Sequence, residues 1–170
     1  VQRKMQRVLE ALDEAGILEQ EQALLKKEKK DKEAEAKDKE IAKAIANGQR
    51  ELDDLKSRLA SLQSYDRSMY YYYAAYYNLA YQDKISEAMN NYVKLVAEKD
   101  TAEKLRINAY YVLAQLYLSE SNYESGLDYL LRCFKNAAEV NPDGYVLLGQ
   151  AYYLLADKES TKSIPIKKKQ

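Results

Sequence analysis

Tyr110-Tyr111-Val112-Leu113-Ala114-Gln115-Leu116-Tyr117 recurs 35 residues later as Tyr145-Val146-Leu147-Leu148-Gly149-Gln150-Ala151-Tyr152, with large, apolar, small and large residues in one order. Self-similarity at such a period is the mark of a helical repeat array. Arrays of this kind present surfaces, which directs the functional reading to binding and away from chemistry.

Each first helix of a repeat needs a second one to pack on. Tyr123, Gly126, Leu130 and Cys133 follow the first copy at that spacing, and 38 residues upstream the same offsets find Tyr72, Leu79, Ile85, Ala88, Tyr92 and Leu95. The pattern is similar to the tetratricopeptide repeat, whose parent length is about 34 residues; the surplus fits in the inter-repeat segments 97–101 and 137–143. Pro142 opens a new helix, where its missing N–H is harmless. The expected fold is therefore all-α, a tetratricopeptide-like solenoid of antiparallel helix pairs. One position departs from the register. The small first-helix residue is Ala114 and Gly149 in two units but Tyr76 in the earlier one, unless that unit shifts and uses Ala75 or Ala74.

Composition narrows the function classes. Among 170 residues, 27 basic and 27 acidic side chains cancel, so net charge recruits neither nucleic acid nor an anionic membrane. No apolar run approaches the roughly 18 residues of a membrane span. The chain has no histidine, hence no usual general base and no commonest metal ligand. Cys133 stands alone and reads as a buried small hydrophobe. Gly126, Gly144 and Gly149 are too dispersed for a phosphate loop. No catalytic residue, metal site or cofactor is expected.

The N-terminal third is less regular. Met5, Val8, Leu9 and Leu12 mark an amphipathic helix over 1–14, expected to end near Gly16, and a second apolar seam runs Ile41, Ile45, Leu52, Leu55, Leu59, Leu62. Between them 26–40 is almost wholly charged, with Glu28 to Lys32, Glu33 to Lys37 and Glu35 to Lys39 in the favourable i to i+4 order. Two architectures fit residues 1–62: a coiled coil that oligomerises, or two helices packed on each other with the charged insert 17–46 as an extended hairpin tip. The hairpin is preferred because the a/d seam lapses between Leu25 and Ile41. On that view 1–14 and 48–60 form an atypical first repeat. Repeats occupy 63–157, and 158–170 is an incomplete last repeat or tail.

Val1-Gln2-Arg3-Lys4-Met5, Ser64-Tyr65-Asp66-Arg67 and the two tyrosine helices, taken together, resemble a family of bacterial tetratricopeptide proteins that accompany TonB systems. The likeness covers 1–15 and about 48–157. It implies a periplasmic adaptor that supports energised transport by contacting protein components of the machinery. A second plan, a coiled-coil and repeat oligomeriser, resembles the protein associated with the Tol-Pal system and implies a homo-oligomer.

In such repeats the first helices line a concave groove. The register assigns Tyr70, Tyr73, Tyr77 and Tyr81 to it from one unit, Asn108, Tyr111, Gln115 and Leu118 from the next, and Asp143, Val146, Gln150 and Tyr153 from the last. Tyrosine suits a groove, with an apolar body, a polar tip and little entropy to lose on binding. Tyr72, Tyr76, Tyr92, Tyr110, Tyr117, Tyr145 and Tyr152 are assigned to packing between helices. The groove lacks a lysine and asparagine clamp for a chain terminus, so the expected partner is an extended or helical protein segment with apolar side chains.

Overall fold

Val8, Ala11, Ala15, Leu18, Gln22 and Leu25 repeat at alternating steps of three and four and form the covered side of α1 (Gln2–Lys27). Ala34, Lys37, Ile41, Ala44, Gly48, Leu52 and Leu55, also three or four residues apart, form that of α2 (Asp31–Ser57), and the two helices pair antiparallel along these lines. Such spacing keeps a seam facing its partner over many turns. Alanine and glycine let the backbones approach closely: a Cβ added at Gly48 would lie 3.1 Å from that of Ala11. The expected helix end near Gly16 does not occur. One interior glycine costs about 1 kcal/mol, and seam packing on both sides of it outweighs that.

The computed structural model describes residues 1–28 and 30–162; the expected tail from Ser163 onward lies outside them. Among the described residues there are seven α-helices, packed as antiparallel neighbouring pairs, and no strand. N-terminal pairing is therefore a hairpin within one chain. Some of its charges work across the hairpin: Lys37 reaches Glu21 at 2.8 Å as well as Glu40 of its own helix at 3.1 Å, while Lys4 bridges to Asp54 at 2.9 Å and Arg7 to Glu51 at 3.2 Å.

Two compact units divide the chain, 1–101 and 102–170. In the first, α3 (Ser64–Tyr81) and α4 (Ile85–Ala97) form a second antiparallel pair against which the hairpin rests, so 1–62 and this pair share one body. The Arg67 Nε donates to Glu98 at 2.6 Å and its Nη2 at 3.0 Å, while Ser64 Oγ donates to the same carboxylate at 2.8 Å. A third arm of Arg67 donates to the Leu62 carbonyl, so one guanidinium ties the start of α3 to the end of α4. Across the other end runs a chain of side-chain amides. Asn91 donates to Asn78 at 2.9 Å, Asn78 to Gln82 at 3.0 Å, Gln82 to Gln49 at 2.6 Å and Gln49 to Asp53 at 2.8 Å, linking α4, α3 and α2.

The second unit comprises α5 (Glu103–Ser119), α6 (Tyr123–Asn136) and α7 (Pro142–Lys162). Ala109, Tyr110, Leu113 and Ala114 of α5 meet Gly126, Leu130 and Cys133 of α6 in its core. Gly126 permits the crossing, since a Cβ there would stand 2.6 Å from Leu118 Cγ and 3.2 Å from the Ala114 carbonyl oxygen. Tyr117 stacks on Tyr129 at 5.5 Å, and Asn122 caps α6 by accepting from the Ser125 N–H.

The 38-residue spacing reappears in the backbone. Asp83 and Ser121, each two residues ahead of a second helix, adopt left-handed φ angles of 51° and 61°. Short polar residues tolerate that region best. The Tyr76 ambiguity is also resolved: Ala75 is fully buried and Ala74 nearly so, whereas Tyr76 is 42% exposed. The unit shifts by a residue to put a small side chain at the helix crossing.

Candidate partner-binding cleft

The hairpin takes the face of α3 that the register assigns to an open groove. Tyr70, Tyr73 and Tyr77 are buried, Tyr77 with only 1% of its surface exposed, and Tyr81 is half-buried. Tyr73 lies with Met69 beside Met5 and Leu9 of α1, and the Tyr77 hydroxyl abuts Gly48 of α2. Their rings make edge contacts, Tyr77 with Tyr81 at 5.3 Å and Tyr72 with Tyr73 at 5.5 Å. Burial pushes the phenols of Tyr77, Tyr81 and Tyr92 up to about 12. In this unit the groove tyrosines hold the hairpin; of the packing set Tyr92 is buried and Tyr72 half-buried as assigned, and Tyr76 faces solvent.

The second unit keeps part of its assigned surface open. Asn108 and Tyr111 line a cleft of about 680 Å³ between the first half of α5, the end of α6 and the link 137–141. Ile107, Cys133, Ala137 and Val140 supply its apolar wall, and Asn136, Asn141, Glu103 and Lys104 its polar lining. Gln115 is exposed outside this cleft. Leu118 is a packing residue, laid over Gly126. Burial raises the Cys133 thiol, which suits a wall and not a nucleophile.

Asp143, Val146, Gln150 and Tyr153 sit on α7, also outside the cleft and exposed, Tyr153 by 72%. Tyr145 and Tyr152, expected to pack, are exposed as well. The covered line of α7 against α6 is Gly144, half-buried Leu147 and Leu148, and Ala151, with Tyr145 touching Phe134 edge-on at 5.0 Å. A Cβ at Gly149 would meet nothing, so the small residue that in α5 marks a helix crossing marks none here.

Sequence reasoning found Asn108 and Tyr111 and missed Ile107, Cys133 and Val140 as their neighbours. Ile107 was legible, one helical turn before Tyr111 on the same face. Val140 was not, because the link that bears it has no period. The arrangement offers an apolar recess with amides around it, able to seat side chains of a folded or extended segment and orient its backbone. Among the described residues no helix is long and apolar enough to cross a membrane, and no three ligating side chains gather as a metal site. The chain matches no family model, and no curated protein and no solved structure matches it.

Proposed function

We propose that the protein is a non-catalytic scaffold of tetratricopeptide-like solenoid type that holds a segment of a partner protein in the α5–α6 cleft. The observation that carries this reading is the cleft itself, where Ile107, Tyr111 and Val140 form an open apolar wall among asparagine side chains. The backbone recurrence at Asp83 and Ser121 supports the repeat character. The resemblance to proteins that accompany TonB systems supplies the candidate partners, protein components of that machinery in the periplasm. The oligomeriser reading draws less support, since the seam of 1–57 is closed within a single chain.

Ile107→Asp and Tyr111→Ala test the assignment by titration calorimetry against purified periplasmic segments of TonB-system proteins. Each is expected to weaken binding about tenfold or more, as loss of a buried apolar or aromatic anchor does. If both bind as the parent does while circular dichroism shows intact helices, the cleft is not the site.

A further inference from the structure

Asp53 sets the direction of the amide chain. A carboxylate only accepts, so Gln49 turns its N–H to Asp53 and its carbonyl to Gln82, and the same order passes to Asn78 and Asn91. Each of the four amides spends one N–H along the chain and keeps a second. The chain runs along a cleft of about 500 Å³ with α2 and α4 as walls and α3 as floor, wholly inside the first unit. Each of these amides also keeps acceptor capacity on its oxygen, so the line can both donate and accept. Lys56, Lys84 and Lys94 stand exposed around it, and Lys94 Nζ lies 5.9 Å from the centre of the Tyr71 ring. Two carboxylates oppose these three cations, Asp53 and Glu87, and Asp53 already accepts from Gln49.

We infer that this cleft is a second binding site and that it takes an extended acidic peptide segment. Side-chain amides repeated along a line match the alternating carbonyls and N–H groups of an extended backbone, and the three lysines, set against two carboxylates, match acidic side chains. No open aromatic face stands in the cleft for a nucleobase to stack on, since its Tyr70 and Tyr71 are buried. The site is polar where the α5–α6 cleft is apolar, and shares no residue with it.

The test is fluorescence anisotropy of the full chain with a labelled octapeptide of alternating Gly and Glu, beside Gly-Lys and Gly-Gln octapeptides. The acidic peptide is expected to bind in a salt-sensitive way, and Lys84→Glu with Lys94→Glu to weaken it about tenfold or more. Both lysines are exposed, so circular dichroism should show the fold intact. Glu87→Gln, which removes a repelling charge and leaves the amide chain anchored on Asp53, should tighten binding, and Ile107→Asp in the other cleft should leave it unchanged. The inference is overturned if the acidic peptide fails to bind, if Gly-Gln binds as well, if the lysine variant binds like the parent, or if Ile107→Asp weakens it equally. A failure of the α5–α6 assignment leaves all of these outcomes unaffected.

Discussion

The Tyr77 hydroxyl occupies the space a side chain at Gly48 would need: a Cβ there would lie 1.6 Å from the oxygen and 2.7 Å from the ring carbon bearing it. That oxygen is also buried with no hydrogen-bond partner. The contact therefore combines close helix approach with an unsatisfied polar group. Gly48→Ala is expected to destabilise by about 1–3 kcal/mol through overpacking. Tyr77→Phe is expected to stabilise by about 1 kcal/mol or more, because it removes the desolvated hydroxyl. Urea unfolding of both single variants and the double variant checks this, and the double variant should regain only part of the loss. A neutral Gly48→Ala would show that α2 does not pass this close to α3.

The remaining glycines separate crowded from open helix positions. Gly16 and Gly149 lie inside helices with nothing near a would-be Cβ, so alanine at either should stabilise by about 0.5–1 kcal/mol through backbone entropy. Gly126→Ala must displace Leu118 and should cost about 1–3 kcal/mol. Thermal melts of the three variants should therefore move in opposite directions.

The Arg67 hydrogen bonds hold the Glu98 carboxyl below its ordinary value of 4.5, although burial opposes them. A depressed carboxylate gives stability that is complete above the unfolded value and is lost as pH falls through the folded one. Arg67→Met should destabilise the fold at neutral pH, since it removes the two hydrogen bonds that the guanidinium donates to the Glu98 carboxylate. Denaturation midpoints measured from neutral to acid pH should then fall less steeply in the variant than in the parent.

Alkali acts on the tyrosines. Tyr77, Tyr81 and Tyr92 have phenols raised from 10.0 to about 12, so their stabilising contribution is complete below pH 10 and is lost as pH rises toward 12. Absorbance titration should show a late-ionising class of tyrosinates coincident with loss of helix. Tyr92→Phe should shift the alkaline unfolding midpoint upward.

The α3–α4 and α5–α6 pairs were legible because Tyr92, Leu95, Leu113 and Leu130 stand at helical spacing among small residues and are buried. The hairpin seam was only half legible, since Ala11, Ala15, Ala34, Ala44 and Gly48 work through closeness and carry little hydrophobic signal. Ala34 and Lys37 show why the seam seemed to lapse between Leu25 and Ile41: one is small and the other charged, and Gln22 of α1 donates across to the Ala34 carbonyl at 3.0 Å. In α3 tyrosine and alanine occur all round the helix, and period alone does not say which face a neighbour will take. Tyr77 and Tyr76 exchanged places for that reason. In the second unit Asn108 and Tyr111 kept their assigned openness because α5 has no hairpin before it within its own unit.

Between residues 20 and 43, every described residue apart from Gln22, Leu25, Ala34, Lys37 and Ile41 of the seam is exposed, so this stretch of the hairpin is solvated on all its other sides. At about 1.5 Å per residue, some 12 Å of paired helix extends past Glu19, where α1 still faces Tyr81. Mechanically the hairpin is a cantilever. Its two rods grip each other along their whole length but leave α3 past Glu19, so a load hung on the tip would bear on the contacts with α3 before parting α1 from α2.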